Sequence, residues 1–196
     1  SSGVELIVHA PFNGLNPASL NPGIRRESAR QIKDAIDLCS DMGGTKVVVH
    51  NGEHSVPKRV REARPEVAKL QWDYNVASLK EAAIHARERG VILCLENIGF
   101  EEEHMDRSVG DLLVIRGEVD EPSLAFCIDI GHARLNNELD RAIEQLGPMA
   151  AHIHFADNFG ERDDHVVIGE GNFDYTPHLE FFRNFPHTIT LEVVVV

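Results

Sequence analysis

Six hydrophobic stretches of the chain end in a side chain that can bind a divalent cation or transfer a proton. These side chains are His9, His50, Glu96, Asp129, His154 and Glu192. Carboxylates and imidazoles are general acids and bases, and they are also ligands for Zn²⁺, Mn²⁺, Co²⁺ and Fe²⁺. Burying several of them side by side costs several kcal/mol per uncompensated charge, and a divalent cation removes that cost. The set therefore predicts a metal centre.

Two local motifs add three candidate ligands to this set. In Asp129-Ile130-Gly131-His132 a histidine follows a strand-terminal carboxylate by three residues, and we expect the glycine to permit a sharp turn between them. In Asp163-Asp164-His165 an aspartate and a histidine lie two residues apart. His132, Asp163 and His165 are therefore predicted to lie near the strand-end residues.

The elements that must position these side chains are strands alternating with helices along the whole chain. The predicted strands are Val4–His9, Lys46–His50, Val91–Glu96, Leu124–Asp129, Ala150–Phe155 and Thr188–Val193. The predicted helices are Arg26–Met42, Pro65–Arg89, Val109–Arg116, Leu139–Leu146 and Pro177–Phe185. Both faces of the strands are rich in apolar residues, which is typical of a parallel sheet covered by helices.

An open doubly wound sheet and a closed (β/α)8 TIM barrel both fit this alternation. A doubly wound sheet places its site at one switch point, whereas a barrel gathers residues from the ends of most strands around one axis. Ligand-type side chains end all six predicted strands, which favours the TIM barrel. Residues 1–196 are predicted to form one domain with about six βα units, and we expect the first and last units of the barrel to be missing.

The period-two geometry of a strand also predicts what lies beneath the ionisable layer. The residues two positions before Glu96, Asp129 and His154 point to the same side of the sheet as those three side chains. They are Cys94, Cys127 and His152. We interpret the two cysteines as small core residues and His152 as a hydrogen-bonded core histidine.

Composition limits the classes of function. The chain has 19 Lys and Arg residues against 32 Asp and Glu residues, a net charge of −13. This excess of acid argues against broad electrostatic attraction to nucleic acid. No apolar run approaches the ~20 residues that a transmembrane helix requires. The three cysteines include no C-x-x-C pair, so we expect reduced thiols and a cytoplasmic location without membrane attachment.

The motifs, taken together and in order, resemble those of the xylose isomerase-like TIM barrels. The matching segments are Val8–Phe12, Ser19–Ser28, Val49–Gly52, Leu95–Asn97, Asp129–Ala133, His152–His154, Asp163–His165, Gly169–Gly171 and Leu191–Glu192. This superfamily includes sugar and sugar-phosphate isomerases and epimerases, and also the apurinic-site nucleases of the endonuclease IV type.

The resemblance implies a ligand set for one to three ions of zinc or manganese. The trinuclear pattern of endonuclease IV assigns His9, His50 and Glu96 to one ion, Glu96, Asp129, His154 and Glu192 to a second, and His132, Asp163 and His165 to a third. Single-metal epimerases use only the second group, and its two glutamates also transfer protons. In that case His9 and His50 are neutral histidines that contact the substrate.

Two enzymatic functions are compatible with these residues. The first is a metal-dependent sugar or sugar-phosphate isomerase or epimerase in which Glu96 and Glu192 are the catalytic bases. The alternative is an endonuclease IV-like phosphodiesterase acting on abasic DNA, with nucleic acid as its partner. A third hypothesis is a non-catalytic metal-binding or sugar-binding barrel. Candidate substrate contacts are Phe12, His132 and Arg162, although Arg162 is displaced from the position of the family's arginine.

Overall fold

The computed structural model describes residues 4–98 and 103–194, which form a curled sheet of six parallel strands covered by helices. The strands are β1 (Ile7–His9), β2 (Lys46–Val49), β3 (Ile92–Glu96), β4 (Leu124–Asp129), β5 (Ala150–Phe155) and β6 (Thr188–Leu191). Each strand pairs with the next strand along the chain. The predicted α/β architecture is confirmed as a half-barrel of six parallel strands, of which the first five are each followed by a helix in the described residues.

Seven α-helices connect or flank these strands in the described residues. They are α1 (Pro22–Asp41), α2 (Lys58–Ala63), α3 (Pro65–Arg89), α4 (Val109–Val119), α5 (Ile130–Leu135), α6 (Leu139–Gln145) and α7 (Leu179–Asn184), with short 3-10 turns at Gly147–Met149 and Thr176–His178. Helix α3 has the predicted bounds, because proline occupies its first turn and Gly90 ends it at a φ of 70°. None of the described helices is both long and apolar enough to cross a membrane.

Several predicted boundaries are wrong. The length of the neighbouring strand sets the strand boundaries, and an N-cap sets the start of α1. Strand β1 begins at Ile7 rather than at Val4, because Ile7 faces the first residue of β2. Strand β6 ends at Leu191, which faces the last residue of β5. Helix α1 starts four residues earlier than predicted, because Asn21 accepts a hydrogen bond from the Gly23 N–H and caps it.

The sequence reading missed two short helices. Helix α2 is polar and has no buried residue, so it shows no apolar periodicity. Helix α5 begins where a sharp turn was expected after Asp129, whose Oδ1 accepts a 2.6 Å hydrogen bond from the His132 N–H. Gly131 is therefore a helical residue. A Cβ there would lie 3.3 Å from the side chains of Asp129 and Asn158, so the close approach of these groups explains the glycine.

The two faces of the sheet carry different cores. The outer face packs its aliphatic side chains against the helices in one large cluster that includes Leu79, Leu93 and Phe126. The concave face has a small cluster of buried residues, namely Val48, Cys94, Cys127 and Ala151. As predicted, the layer beneath the ionisable residues is therefore small and largely apolar. Strand β6 differs from the expectation of full coverage, since Leu191 is 64% exposed.

Candidate metal centre

The carboxyl ends of the parallel strands bring the predicted ligands together on the concave face. Strand pairing places Asp129 beside His154, and Glu96 follows the last pair of β2 and β3. Glu192 comes directly after β6, where its N–H donates to the carbonyl of Phe155. Residues that are distant in sequence thus become neighbours at the carboxyl end of the sheet.

Glu96 lies at the centre of the arrangement and is 1% exposed. Its Oε2 lies 2.9 Å from Nε2 of His50 and 3.3 Å from Nε2 of His9. Its Oε1 lies 2.7 Å from Nδ1 of His154. The same Nδ1 atom lies 3.2 Å from Oε2 of Glu192. Glu96 therefore belongs to two groups of ligand atoms, one on each side of its carboxylate.

His132, Asp163 and His165 form a third group nearer to solvent. Oδ2 of Asp163 lies 3.1 Å from Nε2 of His132 and 2.6 Å from Nε2 of His165. Helix α5 presents His132, whereas the loop between β5 and α7 presents the other two residues. The structure thus brings together all nine residues that the sequence nominated as ligands, in the same three groups.

Three of the histidines have a fixed orientation. Nδ1 of His9 lies 2.9 Å from the carbonyl oxygen of Ala10. Nδ1 of His132 lies 2.9 Å from the carbonyl oxygen of Asn97, and Nδ1 of His165 lies 2.8 Å from that of Glu192. A carbonyl oxygen only accepts, so each Nδ1 donates its proton and Nε2 is left to face the group. Metal-binding histidines are oriented in the same way.

Asp129 supplies the clearest sign that these residues suit a cation. It is 1% exposed, and its Oδ2 has no hydrogen-bond partner among the described residues. Burial raises the pKa of Asp129 to about 6, and the nearby His132 opposes this effect. In each group the ligand atoms lie within 4.8 Å of one another. A mixed set of carboxylates and imidazoles without thiolates fits Zn²⁺ or Mn²⁺.

The groups compensate one another electrostatically. Burial acts to raise the pKa of Glu96, but hydrogen bonds from three histidines hold it well below its ordinary value. Burial acts to lower the pKa of His154, but hydrogen bonds to Cys127 and two glutamates raise it far above its ordinary value. Burial also acts to lower the pKa of His132, but the carboxylates of Asp129 and Asp163 raise it to about 10. Protons on the histidines therefore balance the negative charge of the carboxylates. A cation that binds here would displace these protons.

The candidate substrate contacts differ in position. Phe12 stacks on His50 with their ring centroids 4.5 Å apart, at the edge of the centre. His132 lies in the outer group. Arg162 does not join the centre, because its side chain is 85% exposed and its Nε contacts Oδ1 of Asp164 at 2.5 Å.

Asn97 is a residue of the site that was not nominated from the sequence, whereas His152 was predicted to be a hydrogen-bonded core histidine. Asn97 donates to the carbonyl of Asp129 at 2.9 Å and accepts from the Asp129 N–H at 2.8 Å, so it ties β3 to β4 just above their last residues. Its position directly after Glu96 was the available signal. His152 lies beneath the centre near Cys127 and His154, and its ring nitrogens contact the hydroxyls of Thr188 and Thr190.

Comparison with known proteins gives a family and several relatives. The family model for xylose isomerase-like TIM barrels matches residues 1–195. An uncharacterized protein of Methanocaldococcus jannaschii is 33% identical over 180 residues, covering 90% of this chain and 59% of that protein. A probable endonuclease 4 of Mycobacterium leprae is 25% identical over 186 residues, covering 89% of this chain and 67% of that protein.

A solved structure agrees with this assignment. The crystal structure of a D-tagatose 3-epimerase-like protein superposes with a TM-score of 0.87 and 30% identity, covering 100% of this chain and 73% of that one. The chain spans about three fifths of the length of the first M. jannaschii relatives. On the evidence of the family model and the strand order, this chain belongs to the xylose isomerase-like TIM barrel family.

Proposed function

We propose that the protein is a divalent-metal-dependent isomerase or epimerase of a sugar or sugar phosphate. The observation that carries the proposal is the convergence of two carboxylates from two strands that are not neighbours in the sheet, β3 and β6. Glu96 at the end of β3 and Glu192 directly after β6 both contact Nδ1 of His154, at 2.7 and 3.2 Å. Two carboxylates around one small space are what proton transfer on both faces of a carbon requires.

Glu96, Asp129, His154 and Glu192 would hold the cation, and Zn²⁺ or Mn²⁺ suits this set. When bound there, the cation supplies Lewis-acid polarisation of a carbonyl and its neighbouring hydroxyl. The Oδ2 atom of Asp129, which has no hydrogen-bond partner in residues 4–98 and 103–194, supports this assignment. Asp129 has no proton-transfer role in the proposal and serves only to hold the ion.

Glu96 and Glu192 exchange the proton. One carboxylate removes the proton from the carbon beside the carbonyl, and the other returns a proton to the opposite face of the same carbon, so its configuration inverts. Glu192 is the more accessible of the two, because its side chain is 36% exposed against 2% for Glu96. Phe12 and His50 would form the wall of the substrate space beside these two carboxylates. His132 would contact the substrate from the outer side.

The test is solvent-proton exchange by protein loaded with Mn²⁺ or Zn²⁺. A panel of ketoses, aldoses and their phosphates is incubated in deuterated water and followed by NMR. The proposal expects deuterium at the carbon beside the carbonyl together with isomer formation for at least one sugar. Absence of exchange across the panel, with the metal bound, would contradict it.

A second function, phosphodiester cleavage at abasic sites in DNA, is favoured by one specific observation. The groups His9–His50–Glu96 and His132–Asp163–His165 each bring three ligand atoms within 4.8 Å, beyond what a single-metal epimerase requires. Two or three cations in such sites activate water and stabilise the leaving oxygen of a phosphodiester. Similarity to the probable endonuclease 4 of M. leprae also supports this candidate.

Metal stoichiometry separates the two candidates. Elemental analysis of protein purified without chelator should give about one ion per chain for the epimerase and about three for the nuclease. A parallel assay offers a duplex with one abasic site. Cleavage of this duplex without deuterium uptake in any sugar would replace the first proposal by the second. Bound metal with neither activity would instead support a binding protein.

A further inference from the structure

A cleft of about 740 Å³ opens beside the candidate centre, between the segment that follows β1 and the segment that follows β2. His50 and Phe12 belong to both the cleft and the centre. Nε2 of His50 lies 2.9 Å from the Glu96 carboxylate. A substrate that reacts at Glu96 can therefore extend past His50 into this cleft.

The surfaces that the cleft offers to a ligand are mainly apolar. Phe12 and Ile24 are 47% and 42% exposed, and Leu15, Leu20 and Ile98 are among the other apolar residues of the wall. Large side chains exposed together beside a site are a common feature of ligand-binding clefts.

Several polar side chains of the wall are already engaged within the protein. Oδ1 of Asn16 accepts from the N–H groups of Ala18 and Glu53, and its Nδ2 donates to the carbonyl of Glu53. Ser28 donates to the carbonyl of Ile24 and accepts from the Asn16 N–H. These groups shape the cleft and have little hydrogen-bonding capacity left for a row of sugar hydroxyls.

The cleft also has no lysine or arginine side chain in its wall to hold a phosphate. None of the 19 Lys and Arg residues lines it, and all 19 lie within residues 4–98 and 103–194. Glu53 contributes a negative charge to the wall, and Nε2 of His104, also in the wall, lies 3.6 Å from its Oε1. The N-terminus of α1 borders the cleft, but Pro22 has no N–H and the Gly23 N–H donates to Asn21. A phosphate placed here would meet the Glu53 carboxylate and no lysine or arginine side chain.

We infer that the substrate carries an uncharged, largely apolar or aromatic substituent, remote from its reacting carbonyl, which lies in this cleft. The inference rests on the proposed sugar chemistry and narrows its substrate to neutral sugar derivatives. The volume supports it, because about 740 Å³ falls in the upper part of the ~300–1,000 Å³ range of clefts that enclose a drug-sized ligand. A free hexose fills only a fraction of that space.

The test compares three probes that differ at one position: D-fructose, 6-O-benzyl-D-fructose and D-fructose 6-phosphate. Their dissociation constants are measured by calorimetry on the metal-loaded protein. Burial of the benzyl ring should tighten binding by about 10- to 100-fold over D-fructose. The phosphate should bind no more tightly than D-fructose. Tightest binding of the phosphate, or equal affinity of the benzyl ether and D-fructose, would overturn the inference.

Variants locate the preference in the cleft. Ile24→Asp places a charge in the apolar wall and should reduce the ratio of D-fructose to benzyl-ether dissociation constants to near one. Ile24→Ala, which only shortens the side chain, should reduce the ratio partly and serves if the aspartate variant fails to fold. Leu38→Asp is the matched control, because Leu38 lies on the same helix, is 53% exposed and does not line the cleft. An unchanged ratio in both Ile24 variants would contradict the inference.

Deuterium exchange measured on the same samples separates this inference from the proposed function. Tighter binding of the benzyl ether that depends on Ile24, without deuterium uptake in any sugar, would support the inference about the cleft and contradict the proposed isomerase activity. Deuterium uptake without a benzyl preference would support the isomerase and remove the inference about the cleft.

Discussion

At the residue scale, the carboxylates of the centre have different environments and therefore different expected roles. Glu96 contacts three histidines and is 1% exposed, so the position of its carboxylate is fixed. Glu192 is more exposed and contacts the centre from β6. Asp129 is buried, and one of its carboxylate oxygens has no hydrogen-bond partner in the part of the chain that the structure describes. These differences make substitutions of Glu192 and Asp129 informative.

We predict that Glu192→Gln abolishes most of the catalysis while the metal remains, whereas Asp129→Asn weakens metal binding more than it affects proton transfer. The amide of glutamine keeps the shape of the side chain but has no basicity, so the exchange rate should fall about 10²–10⁴-fold. Deuterium exchange and elemental analysis of both variants check this. A full-rate Glu192→Gln enzyme would contradict both proposed mechanisms.

Asp106 supports a second residue-scale prediction, which concerns pH. It is 2% exposed, and its Oδ1 has no hydrogen-bond partner among the described residues. Burial raises its pKa from 3.8 to about 7. The folded protein therefore holds this proton more strongly than the unfolded chain does, and the contribution of Asp106 to stability falls as the pH rises from about 4 to about 7.

Asp106→Asn should remove this loss. The variant should gain on the order of 2–4 kcal/mol in free energy of unfolding relative to the wild type at pH 8, and little at pH 4. Urea unfolding of both proteins across this range measures the difference, in which the contributions of other titrating groups largely cancel. A difference independent of pH would show that the carboxyl does not titrate in this way.

At the element scale, the loop between β5 and α7 carries Asp163 and His165, and Asp157 fixes its path. Oδ2 of Asp157 accepts from the N–H groups of Gly169 and Gly171, at 3.0 and 3.1 Å. A Cβ on Gly171 would lie 2.2 Å from Oδ1 of Asp157, so the close approach requires glycine. Asp157 is thus a positioning residue for the outer group.

We predict that Asp157→Ala lowers the affinity of the outer group for Zn²⁺ by about 10- to 100-fold, because the loop loses the contacts that hold its two ligands. Gly171→Ala should have a similar effect through steric displacement of the same carboxylate. Competition with a chromophoric chelator measures the affinity. Glu161→Gln, an exposed change in the same loop, is the control, and an equal loss in this variant would argue against a specific role of Asp157.

At the scale of the whole molecule, six strand ends concentrate carboxylates and histidines on one concave face of a chain with a net charge of −13. A cation that binds only the folded state stabilises it by mass action, by ~2.7 kcal/mol at 100 times the dissociation constant. Thorough chelation should therefore lower the Tm by roughly 5–10 °C, and added Mn²⁺ or Zn²⁺ should restore it. A Tm unchanged by chelation would count against the centre.

The sequence by itself determined the alternation of strands and helices, because that signal is local. It also identified all nine candidate ligands, because each motif ends a strand or lies in a short adjoining segment. Recognition of the family motifs then supplied their grouping into three sites, which strand spacing alone does not give. The core helix α3 was predicted to its last residue because proline and glycine mark its ends.

Only the tertiary structure decided which polar groups share an environment. The burial of Asp106, the reciprocal hydrogen bonds of Asn97 with Asp129, and the cleft between two loops all join residues distant in sequence. Burial and long-range contacts depend on how the strands pack around the axis, and no local pattern of residues encodes that packing.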